Sequence, residues 1–239
     1  MNTRHWDRLT AWSALAAVGL AVAALANWGN PQPDDPIRQT IRLYVAHQHQ
    51  MMRSQFFFVL FGLAVLTFAA GLHAILQRGA DEPYVLPTFA VGAAVLNAVW
   101  MMLWAAVNGG LALVAGQVSP SEVRLLVGVE SAVDVFTGLS FGLVALTAAL
   151  ALRETQVLAR WIAWVGVVSG ALAIGGDAVI LDPTGTGPLG NVGLLGFLGQ
   201  LLFLVWLLIV GVSLLRRSPA PAGSRGTARR AERVPLSSR

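Results

Sequence analysis

The sequence contains neither cysteine nor lysine, and each absence excludes a kind of chemistry. Without cysteine, the chain cannot form disulfides, thiolate zinc sites or iron–sulfur clusters, and it has no cysteine nucleophile. Without lysine, it cannot hold retinal or pyridoxal phosphate as a Schiff base. Its 16 basic side chains are therefore all arginines, and with the abundant alanine, glycine and valine they are typical of a GC-rich bacterial genome.

Charged residues are scarce as well. They make up 12% of the chain, whereas a typical soluble domain has about 25%. Hydrophobic residues reach 56%, and the mean hydropathy is +0.66. This composition predicts an all-α fold, a polytopic membrane helix bundle, because a helix satisfies its own backbone hydrogen bonds in lipid. The lipid bilayer is therefore the first expected partner.

Six apolar runs have about the length that crossing a bilayer requires, which is roughly 20 residues. The predicted spans are residues 9–29, 54–76, 84–107, 123–152, 161–181 and 192–215. They form a transmembrane domain, 9–217, between a short segment, 1–8, and a tail, 218–239, whose proline, serine and arginine predict disorder. Residues 9–29 also fit a cleaved signal peptide, but their length favours an uncleaved helix.

The positions of the arginines predict the orientation. If the amino terminus lies inside, most of the 16 arginines lie on the cytoplasmic side. Those that fall outside are Arg38, Arg42, Arg53 and Arg124. This bias agrees with the positive-inside rule, so we expect a bacterial plasma-membrane protein with both termini and the basic tail in the cytoplasm. The arginines of the tail can contact anionic lipid, but such a cluster more often serves only as a topology anchor. We expect no binding of nucleic acid.

Residues 36–53 predict an interfacial helix on the outer side that runs directly into the second span. Asp35-Pro36 resembles an N-cap followed by the first helical residue. The positive stripe of this helix consists of Arg38, Arg42, His49 and Arg53. The stripe has two interpretations: it is a face in contact with water or lipid headgroups, or Arg53 reaches acidic residues inside the bundle.

Two acids lie within the fourth apolar run. Glu130 and Asp134 are four residues apart, so they share one helix face, and Thr137 and Phe141 continue that face. A charged side chain within hydrocarbon costs at least about 2.5–3.5 kcal/mol. We therefore expect this face to point into the bundle.

Polar residues of other spans fall at a similar depth, toward the outside. The fifth span ends near Asp177, and the third span carries amides and an indole in its outer half. We therefore predict an outward-facing polar pocket. Its candidate residues are Glu130, Asp134, Asp177, Arg53, Asn97, Trp104 and Asn108.

Three roles for such a pocket remain open. It can bind or transport a small solute or lipid headgroup, it can be an embedded hydrolase or metal-dependent site, or its acids can pair with another chain. His47 and His49 are suitable metal ligands, but side chains two residues apart point away from each other on a helix. No phosphate loop, dinucleotide fingerprint, nucleophile elbow or metalloprotease motif occurs. We therefore expect no cofactor and favour binding, with a second copy or another membrane protein as a further candidate partner.

Three apolar stretches carry a family resemblance. They are FGLVALTAALAL from Phe141, LARWIAWVGVVSGAL from Leu158 and FLVWLLIVGVSLLRR from Phe203. With their tryptophans and glycines they resemble a broad bacterial family of membrane proteins known as a domain of unknown function. The resemblance implies six transmembrane helices and offers no activity to transfer.

Overall fold

The computed structural model describes residues 3–27, 36–78, 85–178 and 193–216, and all statements below concern these ranges. Within them the chain forms helices and no strand, as the composition predicts. The helices are α1 (Thr3–Ala26), α2 (Ile37–Ala46), α3 (Gln48–Gln77), α4 (Val85–Val114), α5 (Pro120–Thr155), α6 (Arg160–Asp177) and α7 (Gly193–Arg216). The predicted tail, 218–239, and the predicted N-cap, Asp35, lie outside the described residues.

Six of these helices form a ring. Around it α1 packs on α3, α3 on α4, α4 on α5, α5 on α6 and α6 on α7, and α7 returns to α1. Helix α5 also contacts α3 and α7 across the ring. The short α2 packs on α3, α4 and α5, where Tyr44 joins a small cluster with Met51, Leu111 and Val123. We call this the α2 end of the bundle.

Five of the described helices are long and apolar enough to cross a bilayer, namely α1, α3, α4, α5 and α7. They identify the chain as an α-helical membrane protein. Helix α6 is not among them, since it has 18 residues and carries Arg160 and Asp177 at its ends.

Two of the differences between predicted and observed helix boundaries bear on the site. The expected continuous helix through Arg53 is divided at His47, whose φ of −115° and ψ of 21° separate α2 from α3. Helix α4 continues to Val114, although the sequence predicts a loop from Asn108 onward. The Gly109-Gly110 pair does not end α4, since glycine within a helix costs only about 1 kcal/mol relative to alanine and the surrounding helix continues to Val114.

Helix α5 begins at a capping box. The Ser119 side chain accepts the Glu122 backbone N–H, and the Glu122 carboxylate accepts the Ser119 backbone N–H at 2.7 Å. Pro120 occupies the first turn, where its missing N–H costs nothing. The sequence predicts a serine cap here, at Ser119 or Ser121, and the structure selects Ser119.

The centre of the bundle is an aromatic cluster from α3, α5 and α7. Phe141 lies 5.4 Å from Phe61 and 5.6 Å from Phe203, measured between ring centroids. Trp206 lies 5.9 Å from Phe203 and 6.0 Å from Phe68. The Trp206 indole N–H donates to the Ile162 carbonyl at 3.0 Å, so its polar atom is satisfied within the apolar core.

Small residues allow the helices around α6 to approach closely. The backbones of Gly142 on α5 and Gly170 on α6 face each other, and an added Cβ on either would lie within 2.9 Å of the other's carbonyl oxygen. On the next side, Gly176 of α6 meets the backbone of Gly196 on α7. This close packing places the last residue of α6, Asp177, against both neighbouring helices.

Candidate functional site

The Glu130 carboxylate of α5 accepts two hydrogen bonds from α4. The Trp104 indole N–H donates to Oε1 at 2.8 Å, and the Asn108 amide donates to the same oxygen at 3.2 Å. The Tyr44 hydroxyl of α2 donates to Asn108 Oδ1 at 3.1 Å. We call these four residues the Glu130 network, and it joins α2, α4 and α5 at the α2 end.

Helix periodicity explains how the network assembles. Trp104 and Asn108 are one turn apart on α4, so both face α5. Asn108 also donates to the Trp104 carbonyl at 3.2 Å, which helps to orient its amide. Tyr44 lies on the buried face of α2, from which its hydroxyl reaches Asn108. Burial, and secondly the nearby Glu130 carboxylate, raise the pKa of the Tyr44 hydroxyl above its ordinary value.

Asp134 lies one turn further along α5, and its exposure differs from that of the other residues on the same helix face. Thr137, Phe141 and Ala145 continue the same face and are 4%, 8% and 1% exposed. Asp134 is exposed, although the helix surface that faces outward is the opposite one, which includes Phe136. Asp134 on the inward face of α5 thus keeps exposed surface although protein atoms surround it. It has no hydrogen bond or ion pair to any described residue.

Asp177 reaches the same region from α6. Its carboxylate lies directly against Gly138 of α5, in the space that a Cβ at residue 138 would occupy. Its Oδ1 lies 3.2 Å from the position of an added Cβ on Gly196 of α7. Its Oδ2 is buried and has no hydrogen-bond partner. Gly138 is one turn from Asp134, so the structure brings these two acids to neighbouring levels of α5.

The three acids therefore form a row along α5. Asp134 lies within electrostatic range of Glu130 on one side and of Asp177 on the other. In the part of the chain that is described, no three His, Asp or Glu side chains converge closely enough to hold a metal ion. We call Glu130, Asp134 and Asp177 the acid row.

Asn97 lies deeper in the bundle than the acid row. It is completely buried, and its amide donates to the Ser140 hydroxyl at 2.9 Å. Ser140 in turn donates to the Thr137 carbonyl at 2.6 Å. Asn97 Oδ1 has no partner within the described chain. Asn97 thus belongs to the α4–α5 interface on the side toward the aromatic cluster.

The basic candidates are not brought into contact with the acids. Arg53 is exposed near the start of α3 and forms no ion pair with any described carboxylate. His47 and His49 are exposed at the α2–α3 junction, where His47 Nδ1 lies 2.9 Å from Gln50 Oε1. The stripe of positive residues therefore agrees with the interpretation as a face in contact with water or headgroups.

Comparison with protein families provides the classification. The family described as Domain of unknown function (DUF4386) matches residues 9–211. The chain belongs to this family. The match confirms the resemblance seen in the second half of the sequence and extends it through the first half, including α3 and α4. No curated protein and no solved structure matches the chain.

Three further polar residues of the site were not among the sequence candidates. Tyr44 lies on the buried face of α2, and a hydroxyl on such a face is a signal for a buried partner. Ser140 follows the acids on the inward side of α5. Gln55 is 4% exposed, and neither its amide nitrogen nor its amide oxygen has a partner within the described chain. The sequence signal for Gln55 is the presence of a glutamine within the apolar run of α3.

The location of Gln55 follows from its neighbours on α3. Met51, one turn before it, packs in the cluster that contains Tyr44. Phe58, one turn after it, lies edge-on against Trp104 at 4.9 Å between centroids. Gln55 therefore lies beside the Glu130 network. The site as a whole offers carboxylates and amides, which can bind a polar or cationic group, and no described nucleophile paired with a base.

Proposed function

We propose that this membrane protein has six spans and binds, and can transport, a small solute or lipid headgroup at a polar pocket near the α2 end. The observation that carries this proposal is the accessibility of Asp134. An exposed side chain on the inward face of a helix requires an opening between helices. The unpartnered polar atoms of Gln55 and Asp177 beside that opening support the same idea, since buried polar groups normally have partners.

Helix α6 is the proposed sixth span. Its 18 residues correspond to a length of about 27 Å, close to the roughly 30 Å of the hydrocarbon core. It packs between two apolar helices, α5 and α7. With six spans both termini would lie on one side, and the arginine distribution supports the cytoplasm of a bacterial cell as that side.

Reporter fusions test this topology. A reporter fused after residue 116, between α4 and α5, should report the outer side. A reporter fused after residue 156, between α5 and α6, should report the cytoplasm. A third fusion, after Arg216, should also report the cytoplasm if α6 crosses the membrane. An outer location for the third fusion would instead show that α6 does not span.

For this site, binding without catalysis is better supported than an enzymatic role. The acids lack a described histidine, arginine or serine within bonding distance that would make a general base or nucleophile pair. A structural role, in which the acids only hold the bundle together or pair with another chain, is separated from binding by experiment.

Thermal unfolding of the purified protein tests binding. The probes are ethanolamine, acetate, phosphate and glucose in detergent, and nanodiscs of phosphatidylethanolamine or phosphatidylglycerol. At least one probe should raise Tm, and Glu130→Gln should remove that rise while leaving the unliganded Tm close to that of the parent. Glu154→Gln is the matched control, because Glu154 is an exposed acid at the far end of α5.

Two outcomes would contradict the proposal. If no probe changes Tm, binding of a solute or headgroup is not supported. If Glu130→Gln unfolds the protein without any ligand while Glu154→Gln does not, the acids serve the fold, and the structural role is correct.

A further inference from the structure

The acid row has no counter-charge within the described chain. The ion pair of the described residues, Arg78 with Asp7 at 3.0 Å, joins α3 to α1 at the opposite end of the bundle. Arg53 and Arg124, which lie toward the α2 end, are exposed and form no ion pair with the acids. The sequence contains no lysine that could serve instead. The three acidic side chains therefore lie near one another without a basic partner among the described residues.

Hydrogen-bond acceptors also exceed donors in this region. The two donors of the Glu130 network both approach Oε1 of Glu130. Asp177 Oδ2 is buried without a donor, and Asp134 has no donor among the described residues. A ligand suited to these atoms carries positive charge and several N–H groups. An anion or a group that only accepts hydrogen bonds does not fit.

Gln55 is an independent indication of a ligand. It is 4% exposed, yet neither end of its amide has a partner in the described chain, and it lies beside the Glu130 network. Leaving a buried polar group without a partner costs about 1–3 kcal/mol. Its amide offers an unpartnered acceptor and an unpartnered N–H donor, so a ligand beside it would donate to the oxygen and accept from the nitrogen, as an ammonium group next to a hydroxyl or phosphate oxygen can.

We propose that this site recognises the ammonium group of a small amine or of an aminophospholipid headgroup, with Asp134 and Asp177 supplying the opposite charge. This inference rests on the proposed binding function and defines its ligand class. An ammonium group offers three N–H donors and one positive charge. Hydrogen bonds to an ammonium group allow acids from two helices to contribute without the tight convergence that a metal ion requires, which agrees with their arrangement as a row.

Ethanolamine and ethylene glycol are a matched pair of probes, because they differ by an ammonium group in place of a hydroxyl. For the purified full chain in detergent, ethanolamine should raise Tm in a concentration-dependent way, and ethylene glycol should not. Asp134→Asn and Asp177→Asn should each abolish the shift, and Glu154→Gln should retain it. The comparison of the two probes on the parent protein is informative even if a variant fails to fold.

A second arm distinguishes the source of the amine. Nanodiscs of phosphatidylethanolamine are compared with nanodiscs of phosphatidylglycerol. A higher Tm in phosphatidylethanolamine, lost in Asp134→Asn and kept in Glu154→Gln, identifies a lipid headgroup as the ligand. A shift with free ethanolamine alone identifies a soluble amine. Either result supports the inference.

Other results would overturn it. Equal shifts with ethanolamine and ethylene glycol would show that the positive charge is not recognised. A shift that persists in a folded Asp134→Asn and Asp177→Asn protein would place the amine elsewhere. If acetate, phosphate or glucose binds and neither amine source does, the ligand class is wrong while the proposed binding function stands. If no probe binds, both proposals fail.

Discussion

The Asp177 carboxylate of α6 lies against Gly138 of α5, in the space that a side chain at residue 138 would fill. The absence of a Cβ on α5 therefore allows an acid of the neighbouring helix to reach the inward face of the bundle. Since Asp134 lies one turn away on α5, this contact is what places acids from two helices in one row.

Gly138→Ala should change binding more than stability. The atom that an added Cβ meets is the end of the Asp177 side chain, which can rotate away, so we expect a loss of unfolding free energy of no more than about 1 kcal/mol. The displaced carboxylate should reduce or abolish the ethanolamine-dependent rise in Tm. Thermal unfolding with and without ethanolamine measures both effects.

Gly128→Ala is the control for this change, because Gly128 lies on the same helix with open space around its Cα. It should retain both the parent Tm and the response to ethanolamine. A full response in Gly138→Ala would mean that the position of Asp177 does not matter for binding.

Gly176→Ala should destabilise the bundle strongly, whereas Gly175→Ala should not. A Cβ at residue 176 would meet the backbone of Gly196 on α7, which cannot rotate away. We expect a loss of at least about 1–3 kcal/mol, the usual cost of overpacking. A Cβ at residue 175 meets nothing within 4 Å, and alanine is the better helix former. Unfolding in denaturing detergent compares the two neighbours, and similar losses in both would argue against the close α6–α7 contact.

Stability should decrease in alkaline solution through Tyr44. Its hydroxyl pKa is raised in the folded protein by burial and by Glu130, so on raising pH the unfolded chain loses the proton first, near the ordinary value of about 10. The unfolded state then binds fewer protons than the folded state, and the free energy of unfolding falls as pH rises above that value. Tyr44→Phe should make this decrease smaller.

The titration can be followed directly by tyrosinate absorbance in a Tyr84→Phe background, which leaves Tyr44 as the remaining tyrosine. The Tyr44 transition should lie above the ordinary range. Glu130→Gln should move the transition only part of the way back, because burial is the larger cause. A transition at the value of free tyrosine would mean that Tyr44 is not held in the Glu130 network.

Much of the fold follows from apolar patterning. Long apolar runs predict the α-helices, and the four-residue spacing of Glu130 and Asp134 predicts that they share an inward face of α5. The serine cap of α5 is equally local, because Ser119, Pro120 and Glu122 carry the whole signal. Such features depend on residues within one or two turns, so the sequence contains the information for them.

Features that depend on a neighbouring helix could not be predicted from the sequence in the same way. The continuation of α4 past Gly109-Gly110 is not signalled by that glycine pair, and the inclusion of Tyr44 depends on where α2 packs. Arg53 is a further case, since its helical spacing left contact with the acids and contact with water or headgroups both open, and it lies exposed. Helical periodicity gives a direction around one axis, whereas contact also requires the relative positions of two axes.

The aromatic cluster lies further from the α2 end of the bundle than the acid row does. Phe61, Phe141 and Phe203 follow one another across the bundle at 5.4 and 5.6 Å between centroids, and Trp206 continues the series. Apolar rings packed at this spacing leave little room for water between them. If the proposed pocket passes its solute across the membrane, these rings would have to move first, so the cluster would be the closed part of that path.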